Sequence, residues 1–516
     1  MKMRITFNIK STMVAMLFFV AVIALRADTI TVINTNDSGP GSLRQALADA
    51  NDSDTIDFAV TGTIGLTSGE LLVDKSITIS GPGADNLALD GNATSRVFHI
   101  ALGNTVTISG LSVTNGRVFG FPDDIGAGVY NDHATLTLSM CTLSGNSADR
   151  SGGGLYNDHA TLTLSDCAVS GNFGDNTGGG IYNDGSNGSA SAQINSSIFL
   201  KNSSFSGGAI FTNGESGTAT LEITNSTLSQ NSAIEAGGGI TNDHSHVTLT
   251  NCTVSGNSAD GNGGGGIFNL GNNEGAAILD ISGSTLSGNS SQFNGGAIYT
   301  SGDSVGTANV QIVNSTLSEN SATNFGGGVY NRGTLGTATL QIANSTFADN
   351  SAQSLGDSIY NFVQSGFPGD VSASFANTIF KASASGNFFN NNGTITSLGY
   401  NLSNDDGGGF LISPGDQINT DPFLGPLQDN GGPTFTHELL QGSPAIDAGD
   451  PSFTPPPFYD QRGPDFFRVR NGRVDIGSFE VQAGSTPTPT PPPTPTPRPT
   501  PTPRPRPAPH ARPTPP

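Results

Sequence analysis

The stretch that decides the fold is Gly152–Asn172, GGGLYNDHATLTLSDCAVSGN. It repeats with few changes the stretch just before it, Gly126–Asn146, GAGVYNDHATLTLSMCTLSGN. The opening phrase recurs at GGGIYN ending at Asn183, GGAIFT at Thr212, GGGITN at Asn242, GGGIFN at Asn269, GGAIYT at Thr300, GGGVYN at Asn331 and GDSIYN at Asn361. Its aliphatic residue falls at Val129, Leu155, Ile181, Ile210, Ile240, Ile267, Ile298, Val329 and Ile359, spaced 26, 26, 29, 30, 27, 31, 31 and 30 residues apart. The closing phrase keeps step, with an apolar residue three before Asn146, Asn172, Asn231, Asn257, Asn289, Asn320 and Asn350.

Between the two phrases lie alternating runs such as Thr135-Leu-Thr-Leu and Thr220-Leu-Glu-Ile, with the period of two that marks strands. Each repeat therefore supplies about three short strands. A unit of this length is too short for a propeller blade and has no helical pattern, which leaves an all-β parallel β-helix, a solenoid of stacked coils. Its corners need backbone with positive φ, which glycine accepts freely and asparagine better than most residues. Asparagine recurring once per coil predicts a ladder of side-chain amides.

Composition agrees with this reading. The 516 residues include 70 Gly, no Trp and only 12% charged residues, which excludes coiled coils, helical bundles and basic nucleic-acid binders. Acidic residues number 42 and basic ones 20. Four of the basic residues lie before Asp28 and four after Pro487, so the body carries a charge of −30. Such a body repels nucleic acid, anionic lipid and polyuronate.

Residues 1–27 read as a secretory signal: Lys2, Arg4 and Lys10 precede an apolar run from Met13 to Leu25, too short to span a bilayer, with cleavage after Ala27 or, alternatively, retention as an anchor. No second apolar run of spanning length follows. In residues 28–115, Ser42-Leu-Arg-Gln45 is a capping-box pattern. Leu43, Ala46, Leu47 and Ala50 then form one face of a short helix laid over the first coil. Strand-like segments through Thr29–Asn34, Asp54–Phe58, Leu71–Ile79, Val97–Ile100 and Thr105–Val113 place irregular coils before the regular ones. Residues 116–400 are the repetitive β-helix, 401–482 a separate C-terminal region, and 483–516 a Pro/Thr/Arg tail expected to be a disordered or extended spacer.

The phrase NTNDSGPGSLRQALADAN, residues 34–51, resembles the start of bacterial secreted β-helix proteins of the choice-of-anchor type. LQGSPAIDAG at 440–449, DQRG at 460–463 and DIGSFE at 475–480 resemble the choice-of-anchor Q domain. The repeats resemble polymorphic outer-membrane adhesins, with GGAI at Gly207–Ile210 and Gly295–Ile298 and an F-x-x-N form at Phe347–Asn350. No segment here corresponds to the translocating barrel of those adhesins, so self-export does not follow. The resemblance implies a right-handed β-helix, secreted or at the cell surface, and brings no catalytic residue with it.

Enzymatic chemistry finds little support in the coils. A polysaccharide lyase needs clustered cations beside the uronate, yet between Gly126 and Asn361 the only Lys or Arg residues are Arg150, Lys201 and Arg332, coils apart. A glycosidase needs paired carboxylates across a cleft. The adjacent pairs Asp123-Asp124 and Asp405-Asp406 fall in turn-rich sequence. A carbohydrate-active enzyme on the same fold remains the alternative, with a site outside the regular coils around Asp447, Asp460, Arg462, Arg473 and Asp475, residues that otherwise make structural ion pairs.

Two rows stand out as binding candidates. Asp132-His133 and Asp158-His159 occupy matching positions in successive coils and Asp184 extends the row. In-register stacking brings like carboxylates within ~5 Å, which solvent, histidine or a cation must offset. A metal there would be a transition ion with the histidines or Ca²⁺ on Asp alone; no cofactor is required otherwise. The second row is Tyr130, Tyr156, Tyr182, Phe211, Phe268, Tyr299, Tyr330 and Tyr360, interrupted by Thr241. It is either a packed structural stripe or, if outward, a platform for a cell-surface or extracellular polysaccharide. Cys141, Cys167 and Cys252 share one repeat position, the first two close enough for a disulfide. The chain is expected to be monomeric.

Overall fold

The computed structural model describes residues 27–120 and 124–482. The signal and tail segments expected at the termini lie outside these residues, apart from Ala27 of the former. Three parallel sheets run nearly the length of the coils and a fourth spans those from Arg117 to Ala352, and each regular coil visits all four in turn. Sheet A has 12 strands, among them Val129–Asp132, Leu155–Asp158 and Ile181–Asp184. Sheet B has 14, including Thr135–Ser139 and Thr161–Ser165, sheet C 13, including Thr142–Ser144 and Ala168–Ser170, and sheet D nine, including Ser147–Ala148 and Phe173–Thr177. The fold is a right-handed parallel β-helix of about 12 turns. Fourteen strands stacked at ~4.8 Å make it roughly 60 Å long.

The alternation in each strand sorts its side chains. Leu136, Leu138 and Leu143, with their counterparts in every coil, are buried inside, while the threonines and serines between them face out. A fourth strand per coil was not foreseen. Ser147–Ala148 and most of its equivalents are two residues long, too short for a period of two to show.

The corners follow two rules. The first glycine of each repeated phrase has positive φ, 67° at Gly152 and 62° at Gly178, where a Cβ would collide with the backbone three residues on. The other corners accept Asn, Ser, Asp and His: Asn225, Asn251 and Asn344 sit between sheets B and C, and His133, His159 and His244 between sheets A and B, all with φ near 50°.

The asparagine ladder is present and runs deeper than expected. Asn146, Asn172, Asn231, Asn257, Asn289, Asn320 and Asn350 are joined by Asn202, and all eight are fully buried rather than at left-handed corners. From Asn172 onward each side-chain oxygen accepts both the backbone N–H and the amide N–H of the asparagine one coil earlier, at 2.8–3.1 Å, while that of Asn146 accepts the Gly116 N–H. Each amide also donates to a backbone carbonyl. Buried amides left without partners would cost ~1–3 kcal/mol each, so the polar interior is stable only as a continuous ladder. A second ladder runs through Asn131, Asn157, Asn183 and Thr212.

At the N-terminal end the helix Leu43–Asp49 forms as expected, with Ser42 Oγ accepting the N–H of Gln45 and Leu43, Ala46 and Leu47 buried. Only half of the capping box closes, because the Gln45 amide reaches forward to Asp49 instead of back to Ser42. The three cysteines are buried free thiols. Cys141 and Cys167 each lie against backbone carbonyls.

The C-terminal segment 420–482 turns back along the outside of sheet C. A two-stranded antiparallel ribbon, Leu424–Gln428 with Thr436–Leu439, begins it. Gln461 then bridges Thr285 and Thr316, His437 meets Ser318, and Ser478 meets both Thr316 and Thr346.

Candidate functional site

Sheet A carries both rows read from the sequence. Its strands pair in register, so Asp132, Asp158 and Asp184 are neighbours, as are Tyr130, Tyr156, Tyr182, Phe211, Thr241, Phe268, Tyr299, Tyr330 and Tyr360. The row of carboxylates is offset by its own surroundings. Tyr130 donates to Asp158 at 2.7 Å and Tyr156 to Asp184 at 2.5 Å. Burial, with the neighbouring carboxylates, pushes both phenols far above their usual pKa. His133 Nδ1 meets Asp132 at 2.6 Å and His159 Nδ1 meets Asp158 at 2.5 Å.

His133, Asp158 and His159 place one potential ligand atom each within 4.8 Å of one another, and the two imidazoles stack at 5.0 Å. Asp132 and Asp184 lie in the same row outside this trio. Both ring nitrogens of His159 are engaged, Nδ1 with Asp158 and Nε2 with the Ser186 carbonyl at 2.6 Å. Burial opposes its charge, but these contacts outweigh it and raise its pKa above the ordinary value. A metal ion at this trio would have to displace one of those contacts.

The aromatic row is mostly wall rather than platform. The aliphatic neighbours point inward and the rings outward, yet Tyr156, Tyr182, Phe211, Tyr299, Tyr330 and Tyr360 are all buried by one another and by flanking side chains, while Tyr130 and Phe268 are half-buried. Rings in successive coils sit 4.8–5.3 Å apart from Tyr156 to Phe211 and again from Phe268 to Tyr360. His99 continues the row before Tyr130, Phe389 continues it after Tyr360, and Phe325 and Phe362 cover its far end.

At Thr241 the two stacks separate, and there a cleft of about 450 Å³ opens. Phe211 and Phe268 bound it, with Glu235, Asp243, Asp303 and Arg332 among its polar lining. Longer strands of sheet D, Phe173–Thr177, Ser203–Ser206 and Ser232–Ala236, form its side wall. Arg332 pairs with Asp303 at 3.2 Å and donates to the Tyr299 hydroxyl at 3.0 Å. Asp243 meets His244 at 2.6 Å, a contact that raises the histidine's pKa. Sequence reading recorded Thr241 only as an interruption. The signal was there, since one missing ring in a stacked row leaves a gap one ring wide.

The remaining candidates resolve into structure. Asp124 pairs with Arg150 at 3.0 Å, while Asp405 and Asp406 accept turn N–H groups. Asp460 and Arg462 form a buried pair, the guanidinium lying between Phe466 and Phe479 at 3.9 and 3.7 Å. Asp475 accepts the N–H groups of Asp447 and Val481, and Arg473 donates to Ala448 and Gly449 carbonyls. Burial and then Asp475 push the Glu480 carboxyl up to about 8, and burial pushes Asp475 to about 6. Arg462 and the fully buried Arg468 belong to the same buried group.

Among known proteins, the repeat of Chlamydia polymorphic membrane proteins matches residues 140–158 and 283–301. No curated protein matches the chain. Among solved structures, the chain is similar to pectate lyase Pel9A (16% identity, TM-score 0.38, covering 88% of this chain and 96% of that one). It is also similar to the catalytic domain of a GH87 alpha-1,3-glucanase in complex with nigerose (15%, 0.39, 72% and 69%) and to the Agl-KA catalytic domain (12%, 0.41, 67% and 63%). Among the described residues no helix is long and apolar enough to cross a membrane.

Proposed function

We propose that this is an exported, surface-displayed structural or adhesive β-helix that holds extracellular polysaccharide without cleaving it. The observation that carries the reading is how the repeated side chains are used. The asparagines form internal ladders, the rings stack on one another, and Arg150 and Arg332 are held by Asp124 and Asp303. None of these leaves the clustered cations that lyase chemistry demands. The matched polymorphic membrane protein repeats and the choice-of-anchor phrases at 440–480 support placement at a cell surface.

Incubation of the purified protein with acidic and neutral polysaccharides, with and without Ca²⁺, tests the reading. Chain length is expected to stay constant over many hours while one class is retained. Shortening of any polymer would overturn it.

A further inference from the structure

The cleft at Thr241 has the dimensions and chemistry of a subsite. Coil-to-coil stacking sets rings ~4.8 Å apart, so omitting one leaves ~10 Å between the ring positions on either side. Phe211 and Phe268 occupy those positions, both registered to Thr241. A saturated six-membered ring stacked on each neighbour fills such a gap.

On the floor the Thr241 hydroxyl is already used, donating to the Ala236 carbonyl at 3.1 Å, and its methyl group lies between Phe211 and Phe268 in the row. The rim is polar. Glu235, Asp243 and Asp303 supply carboxylate acceptors, with Asn262 donating to Glu235 and Arg332 paired to Asp303 beside them. An apolar face between rings with hydrogen-bond acceptors at its edge matches a pyranose, which has C–H faces and an equatorial belt of hydroxyls. Charge narrows the class further. Three carboxylates face Arg332, already paired to Asp303, and His244, held by Asp243, in a body of charge −30, so a uronate is disfavoured.

We infer that this slot takes one neutral pyranose unit of a polysaccharide, sandwiched between Phe211 and Phe268 with its hydroxyls on Glu235, Asp243 and Asp303. The inference rests on the binding role proposed above and gives it a place and a sugar class.

The decisive variant is Thr241→Tyr, which puts back the ring that the row lacks. The protein is run in native gels containing dextran, laminarin, galactomannan or polygalacturonate, and retardation gives the affinity. Wild type is expected to be retarded by at least one neutral polymer and not by polygalacturonate, with Thr241→Tyr at least ten-fold weaker at an unchanged or higher melting temperature. Should Thr241→Tyr fail to fold, Asp243→Asn combined with Glu235→Gln is expected to weaken binding at least ten-fold.

Equal retardation of wild type and variant would sink the slot while leaving a binding role elsewhere. Retardation by polygalacturonate alone, or by nothing, would also sink it. Shortening of the polymer would overturn the non-catalytic reading instead, and the variant's affinity would still decide the slot.

Discussion

Thr227 and Thr253 are partly exposed on the outside of sheet C, whereas Thr285, Thr316 and Thr346, at the same position of later coils, are buried. Residue type and register are identical. The difference is the segment 420–482, which lies over the second set only and uses those hydroxyls as hydrogen-bond partners. A periodic sequence thus specifies the coil but is silent about what covers it. The two regions are also held by different means: the coils by many equivalent small bonds, the covering segment by a few buried charges and its bonds to those threonines.

The largest expected effect comes from that contrast. Arg462→Ala strands Asp460 in a buried site and should cost ~3–5 kcal/mol. Because the charge group belongs to the covering segment, limited proteolysis is expected to cut within 420–482 while the coils resist. Simultaneous digestion of both would show that the two regions are one cooperative unit.

Asn257→Ala should cost somewhat less, ~2–4 kcal/mol, since it removes the acceptor of two buried Asn231 N–H groups. Here the loss is expected in the coils, read as a lower unfolding midpoint with the covering segment still protected from protease.

The third effect is a pH dependence. Glu480 binds its proton more tightly folded than unfolded, where its pKa is ~4.3. Its contribution is therefore complete below the unfolded value and is lost as pH rises through about 8. The melting temperature is expected to fall between pH 6 and 9, and Glu480→Gln, neutral throughout, should flatten that slope. An unchanged slope in the variant would place the dependence elsewhere.

What the sequence revealed follows the same division. The parallel β-helix, the helix at Leu43–Asp49 and the ladder from Asn146 to Asn350 were legible because each repeats or follows a local rule. Asn202 was missed because its surroundings, Ile198-Phe-Leu-Lys-Asn, share little with the recurring phrase, although the 59 residues from Asn172 to Asn231 span two coils. The ring row was legible and a packed stripe was one of its two readings, but Phe325 and Phe362, which help to cover it, stand outside the row and were not. Glu235, Asp243 and Asp303 sit at different points of their coils and converge only through the three-dimensional stack. Asp132, His133, Asp158, His159 and Asp184 were legible as a row, yet the phenols of Tyr130 and Tyr156 that bond the second and third carboxylates come from the preceding coil.

Gln461 touches two coils at once, and Ser478 touches the second of these and the next. The covering segment is therefore cut to a fixed number of coils. Gain or loss of a repeat by duplication or deletion between Thr285 and Thr346 would break its fit, while the same event between Gly126 and Asn257 would simply extend or shorten both ladders. Changes in length over generations have room in the first part of the molecule and none in the last.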